Sequence, residues 1–154
     1  MQDPNSYQVG GDHYKTTYEH WDFVLNTGIG YLEGCATKYI ARWRKSDKPG
    51  DLRKAQHYTA KLLAEFRTAY PRLRMPQTSL RRELAAFITA NRIPNDDVPA
   101  LVALVTWETI ADLQVAYDEI GHCLRLEAED ELADPKPVPL EDSNRHAERV
   151  YDED

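Results

Sequence analysis

The chain has 154 residues, 42% of them hydrophobic and 29% charged. That composition suits one ordinary core, is too short for two substantial domains, and holds nothing near a transmembrane run. Its net charge of −7 is uneven: residues 1–70 carry ten Lys/Arg against eight Asp/Glu, and residues 71–154 carry nine against eighteen. An acidic chain matches long nucleic acid poorly, because such binding rests on many phosphate contacts, but a local basic cluster can still hold one small anion.

The chain opens on MQDPNSYQVGG, which has neither a basic n-region nor an apolar h-region, so no secretion signal is expected. Residues 1–16 are polar, glycine-containing and aromatic, and read as an extended arm or turn. Within them GGDHYK (Gly10 to Lys15) is open to two readings, a phosphate cradle or an ordinary turn into the first helix. Three helices are expected over 17–69. The first runs from about Tyr18 to Asn26 and stops at Thr27-Gly28. The second runs from about Tyr31 to Lys45, with Leu32, Cys35, Ala36, Tyr39, Ile40 and Trp43 as its buried stripe. SDKPG breaks it, and Asp51 stands where it can cap or open the third, about Asp51 to Ala69, which buries Leu52, Ala55, Thr59, Leu62, Leu63 and Phe66. A connection of about five residues makes the second and third helices antiparallel neighbours.

PRLRMPQT, residues 71–78, reads as a linker by its two prolines. Beyond Ser79, Leu80, Leu84, Phe87 and Ile88 share one helical face, IPNDD is a turn, and from Val98 an apolar series continues to Leu124 through one or two helices. No segment alternates convincingly as a strand, so the expected fold class is all-α: a helical hairpin core with an N-terminal arm and additional C-terminal helices. The organisation expected is a helical domain over 1–70, the linker, a helical extension over 79–133, and an acidic, proline-containing tail over 134–154. Eleven acids against three bases in 127–154 suit a solvated segment or one that docks on a basic patch of a partner protein. Cys35 and Cys123 lack metal-ligand spacing, and each reads as a small buried apolar residue in a reducing cytoplasm.

The chemistry in the sequence lies on the polar flank of the helix pair. Lys38, Arg42 and Lys45 fall at i, i+4 and i+7 on the second helix, and Lys54, Tyr58 and Lys61 do the same on the third. From Thr37 to Lys61 there are eight Lys/Arg against two acids. Such cations converging from neighbouring helices make a phosphate clamp, although wet faces of amphipathic helices carry Lys and Arg for solubility alone. Aromatics interleave this region; Tyr39 and Trp43 read as core, whereas Tyr14 and Tyr58 are freer to stack on a base. Familiar phosphate-loop and kinase motifs are missing. Glu19/Asp22 and Glu108/Asp112 have the helical spacing of an all-α, metal-dependent nucleotide pyrophosphohydrolase. His20, His57, His122 and His146 lack a partner pattern.

Three stretches, QVGGDHYK, WDFV and GYLEGCATKYIARWRKSDKPGDLRKAQHY, together resemble a small phage-encoded, nucleotide kinase-like family. Its pattern is matched by Gly10 to Lys15, by Trp21, Asp22 and Phe23, and by Glu33, Gly34, Lys38, Tyr39, Arg42 and Lys45. Asp51, Leu52, Lys54, Ala55, His57 and Tyr58 match its last part. The match spans residues 7–66, and Cys35 stands where the family usually shows Asn. The resemblance implies a nucleotide-metabolism protein of an infected bacterial cytoplasm, assembled as a homo-oligomer, that phosphorylates a deoxynucleoside monophosphate without a P-loop. Carried onto this chain, Lys38, Arg42, Lys45 and Lys54 hold phosphates, while Gly11, Tyr14 and Tyr58 contact the nucleotide. Asp12 and His13 orient the acceptor, and Asp12 with Asp51 are candidates for Mg²⁺. The alternative is a non-catalytic protein that sequesters a nucleotide in the same pocket.

Overall fold

In a computed structural model, residues 16–46, 49–66 and 75–133 are described, and among them every regular element is helical. Six α-helices follow in order: α1 His20–Thr27, α2 Tyr31–Ser46, α3 Pro49–Ala64, α4 Gln77–Asn91, α5 Val98–Thr106 and α6 Ile110–Ala133, with a 3₁₀ turn at Asn95–Asp97 before α5. The all-α expectation holds. The apolar series beyond Val98 divides into two helices, and α4 begins two residues ahead of Ser79. The expected end of the third helix at Ala69, part of the linker and the tail over 134–154 lie outside the described residues.

Local signals explain the helix ends. Gly28 closes α1 with φ 66° and ψ 22°, a left-handed conformation that a residue without Cβ adopts without strain, and its N–H donates to the Val24 carbonyl at 2.9 Å. Asp112 and Thr109 start α6 by a capping box. Asp112 Oδ2 accepts from the backbone N–H groups of Glu108 (2.9 Å) and Thr109 (2.8 Å), and Thr109 Oγ1 accepts from the Asp112 N–H at 3.2 Å. Those bonds satisfy donors that the first turn of a helix otherwise leaves open.

Helices α2 and α3 form an antiparallel hairpin in which Arg42 meets Asp51 and Tyr39 meets Tyr58. Helix α5 is almost wholly apolar and packs against α2, α4 and α6, while α6 also lies along α3, so both halves of the sequence supply one core. Phe23 of α1 and Phe87 of α4 stack at 4.6 Å between centroids, both fully buried. Ile40, Leu52, Leu62, Leu101, Leu104 and Ile120 fill the centre.

The buried stripe of α2 is rotated from the expected one. Cys35 and Tyr39 lie at its margin, half-buried, while Glu33 and Thr37 are fully buried. Buried polar groups need partners, and each of these residues has at least one. Trp107 donates its indole N–H to Glu33 Oε1 at 3.2 Å. The Thr37 hydroxyl donates within its own helix to the Glu33 carbonyl at 2.8 Å, so His20 Nε2, 2.9 Å away, is the donor to Thr37 Oγ1. The IPNDD turn is also more than a connection. Asp97 is buried and accepts Arg44 through two bonds of 2.9 and 3.1 Å, plus the Trp43 indole N–H at 3.1 Å, fixing the end of α2 to the entry of α5.

Candidate functional site: a basic and aromatic face on the helix hairpin

Helical spacing of four and three residues brings Tyr31, Cys35, Lys38, Arg42 and Lys45 into one stripe along α2. That stripe faces outward: Tyr31, Lys38 and Lys45 are exposed, and Cys35 and Arg42 half-buried. Helix α3 borders it with Asp51, Lys54 and Tyr58. Sequence spacing and structure therefore agree that these side chains share a face.

At the turn end of this face the Asp51 side chain is fully buried in the first turn of α3. Its Oδ2 accepts from Arg42 Nε at 2.8 Å, and its Oδ1 accepts from Arg42 Nη2 at 3.2 Å and Lys54 Nζ at 3.1 Å. Burial alone raises the pKa of this carboxyl; the hydrogen bonds and charges of Arg42 and Lys54 outweigh it and hold the group below the ordinary carboxylate range. Both cations also lie near the Tyr39 ring, at 4.9 and 5.1 Å from its centroid. Arg42 and Lys54 are thus tied to protein groups, whereas Lys38 and Lys45 extend from the same stripe with no ion pair among the described residues.

The other end is aromatic. Tyr39 and Tyr58 stack at 5.9 Å with planes 15° apart, and Tyr31, three-quarters exposed, meets Tyr58 edge-on at 6.5 Å. Cys35 lies beside both phenols. Hydrogen bonding to its sulfur pushes the Tyr31 hydroxyl pKa up, and the same sulfur raises that of Tyr58. The residue that departs from the resembled pattern therefore sits at the polar edge of the stacking platform.

Gly11, Asp12, His13 and Tyr14 lie outside the described residues. Asp51 does not fit a metal ligand here, since both of its oxygens already accept from cations, and the described residues contain no group of three or more metal-ligating side chains. The Glu108/Asp112 pair is likewise committed: Asp112 starts α6, and Glu108 Oε1 accepts from Gln77 Nε2 at 3.1 Å. Two cavities among the described residues, of about 250 and 590 Å³, lie elsewhere, against Gln77, Arg81 and Glu108 in one case and Tyr18, Ala86 and Thr89 in the other.

Sequence spacing does not disclose Arg92. It ends α4; burial first, and then the positive charge of Arg92, pushes the Lys45 ammonium pKa below the usual lysine range. A non-glycine residue closing a helix is the only local hint in the sequence.

Comparison with protein-family models, curated proteins and solved structures gave no match. No helix among the described residues is long and apolar enough to cross a membrane.

Proposed function

We propose that the chain binds a nucleotide on the α2–α3 face and transfers a phosphoryl group onto a deoxynucleoside monophosphate. The observation that carries the binding half is the stripe itself. Exposed lysines, Lys38 and Lys45, continue directly from a tyrosine platform of Tyr31, Tyr39 and Tyr58. Aromatic faces hold bases of any identity, and ammonium groups supply movable point charges for phosphates. Arg42 and Lys54, fixed by Asp51, add a preorganised positive edge between the two ends.

The transfer half follows from the resemblance of QVGGDHYK, WDFV and the α2–α3 sequence to the nucleotide kinase-like family. In that reaction the bond from the γ-phosphorus of a triphosphate donor to its bridging oxygen breaks, and a bond to a phosphate oxygen of the monophosphate forms, giving two diphosphates. Positioning and charge neutralisation do most of this work, so a cation cluster suits it. Asp12 and His13 would orient the acceptor, with Gly11 and Tyr14 against the nucleotide. No step is assigned to Mg²⁺.

One observation favours the second reading, nucleotide sequestration without turnover. Asp51, the carboxylate on the described face, is committed to Arg42 and Lys54.

A panel of deoxynucleoside monophosphates with triphosphate donors, analysed by anion-exchange chromatography, tests the first reading. Diphosphate formation that falls at least tenfold in Lys38→Ala upholds it, and absence of product from every pair sinks it. Calorimetric binding with the ligand recovered intact would select sequestration instead.

A further inference from the structure

Neighbouring helices of this chain carry opposite charge. Helices α2 and α3 hold seven Lys/Arg against two acids, and α6 holds seven Asp/Glu against one Arg. On the hairpin, Lys38, Lys45 and Arg53 are exposed with no ion pair among the described residues, and Lys54, exposed as well, meets Asp51. On α6, Glu129 and Asp130 are exposed near the C-terminal end, whose last turn has no basic residue. Acids there add to the negative end of the helix dipole. That potential turns an acidic continuation of the chain away from α6 and toward the nearest cations.

The packing of α6 decides where the chain continues. A Cβ on Gly121 would come within 3.3 Å of Gln56 Nε2 on α3. Trp107, just before α6, packs on Phe66, just beyond α3, with 5.7 Å between centroids. The two helices are therefore antiparallel, and α6 past Gly121 runs toward the turn of the hairpin. Cys123 agrees with that direction: its Sγ lies 3.5 Å from the Asp96 carbonyl, next to Asp97, which holds Arg44 at the end of α2. Gly121 to Ala133 rises about 18 Å, against about 10 Å from Gln56 back to Pro49, so α6 ends beyond the turn. Its end thus lies toward the part of the hairpin that carries Arg42, Lys45 and Lys54.

We propose that residues 134–154 dock on the α2–α3 face of their own chain, carboxylates against Lys38, Lys45 and Lys54, and compete there with polyphosphate anions. Their sequence, DPKPVPLEDSNRHAERVYDED, holds seven Asp/Glu against three Lys/Arg, with five of the acids in Glu141-Asp142 and Asp152-Glu153-Asp154. Such a segment reaches about 70 Å when extended, whereas Lys45 to Lys38 is about 10 Å along α2 and Lys45 to Tyr31 about 21 Å. Both acidic clusters are therefore within reach of the whole face. Tyr151 followed by three acids presents a ring beside clustered negative charge, the combination that the tyrosine platform and the lysines suit. Exposed ion pairs contribute little singly, so the contact is a salt-sensitive one, favoured by the tether that holds the segment near. The docking stands apart from the nucleotide-binding reading; on that reading, the segment must leave before a nucleotide's phosphates enter.

Zero-length carbodiimide cross-linking tests the docking on the full chain, in an equal mixture of light and heavy isotope-labelled protein. It joins a lysine amine to a carboxylate only where the two meet. The expected result is bonds from Lys38, Lys45 or Lys54 to the Glu141-Asp142 or Asp152-Glu153-Asp154 clusters, each within a single isotope label. Their yield should fall at least fivefold in about 0.5 M salt, where exposed charges are screened. Lys61, paired with Glu65 near the far end of α3, is the control and should take few. No bond from either cluster to the three lysines, equal yield at Lys61, or bonds joining different labels overturns docking within one chain; the last assigns the contact to a second copy. Calorimetry with inorganic tripolyphosphate then compares wild type with Asp152→Asn/Glu153→Gln/Asp154→Asn. At least threefold tighter binding in the variant is expected, and equal binding overturns the competition. The expected cross-links with no tripolyphosphate binding by either protein uphold the docking and remove the nucleotide reading, whereas tripolyphosphate binding without the cross-links does the reverse.

Discussion

Asp51 accepts Arg42 Nε at 2.8 Å across the α2–α3 hairpin, joining the first turn of one helix to the last turns of the other. The carboxylate is buried, while Arg42 and Lys54 remain in reach of water, with side chains 25% and 55% exposed. This arrangement lies between a surface pair and a fully buried one. Asp51→Ala is expected to cost about 2 kcal/mol in urea denaturation, because two cations lose their common acceptor beside the core. Lys54→Ala should cost under about 0.5 kcal/mol, as an exposed lysine does. Equal losses in the two variants would contradict this division of labour.

Asp51 also sets an acid limit. Its pKa is lower in the folded chain than in the unfolded chain, so the stabilisation it gives is complete above the unfolded carboxylate value. It is lost as pH falls through the folded value. Melts of wild type and Asp51→Asn should converge below about pH 4, the ordinary carboxylate range, and stay apart at pH 7.

His20 acts in a different window. Burial, and then the charge of Lys38, lowers its pKa from 6.5 to about 4. The folded chain resists protonation that the unfolded chain accepts, so the stability from neutral His20 is fully present above pH 6.5 and lost as pH falls toward 4. The loss approaches roughly 3 kcal/mol at the acid end of that interval. His20→Gln should flatten the change in melting temperature between pH 6.5 and 4.5, while an unaltered slope would assign the effect to other groups.

Asp97 is the more demanding tie. Asp97→Asn removes the charge that accepts Arg44 and weakens the acceptor of the Trp43 indole, in a site only 1% exposed. A loss of about 2–3 kcal/mol is expected, measured by chemical denaturation. Trp43 emission should shift to the red in the variant before global unfolding.

Trp107→Phe keeps a ring against Phe66, whose centroid is 5.7 Å away, but removes the N–H that reaches Glu33. One donor fewer at a buried carboxylate is expected to cost about 1–2 kcal/mol. Glu33→Gln in that background should recover part of the loss, because a neutral amide is less costly to bury than a charge.

Apolar periodicity made the helices legible, since Leu80, Leu84 and Phe87 recur at four and three residues and are all buried. It also located the shared face of Lys38, Arg42 and Lys45. Polar burial was not legible: Glu33, Thr37 and Asp97 look like surface residues until partners from distant segments, Trp107, His20 and Arg44, arrive beside them. Spacing alone likewise did not disclose that Arg42 and Lys54 share one carboxylate across the hairpin. Ile110, counted in the apolar series, is 53% exposed at the first position of α6.

Helix α5 has one further consequence. Ala100, Leu101, Leu104 and Val105 are all buried, and α2, α4 and α6 surround them, so no partial opening frees this helix while the rest stays folded. Its amide hydrogens should therefore exchange with solvent deuterium only through global unfolding, and their protection would read the stability of the whole chain directly. Amides at the ends of α1, which is short and carries an outer face of Trp21 and Leu25, should exchange far sooner.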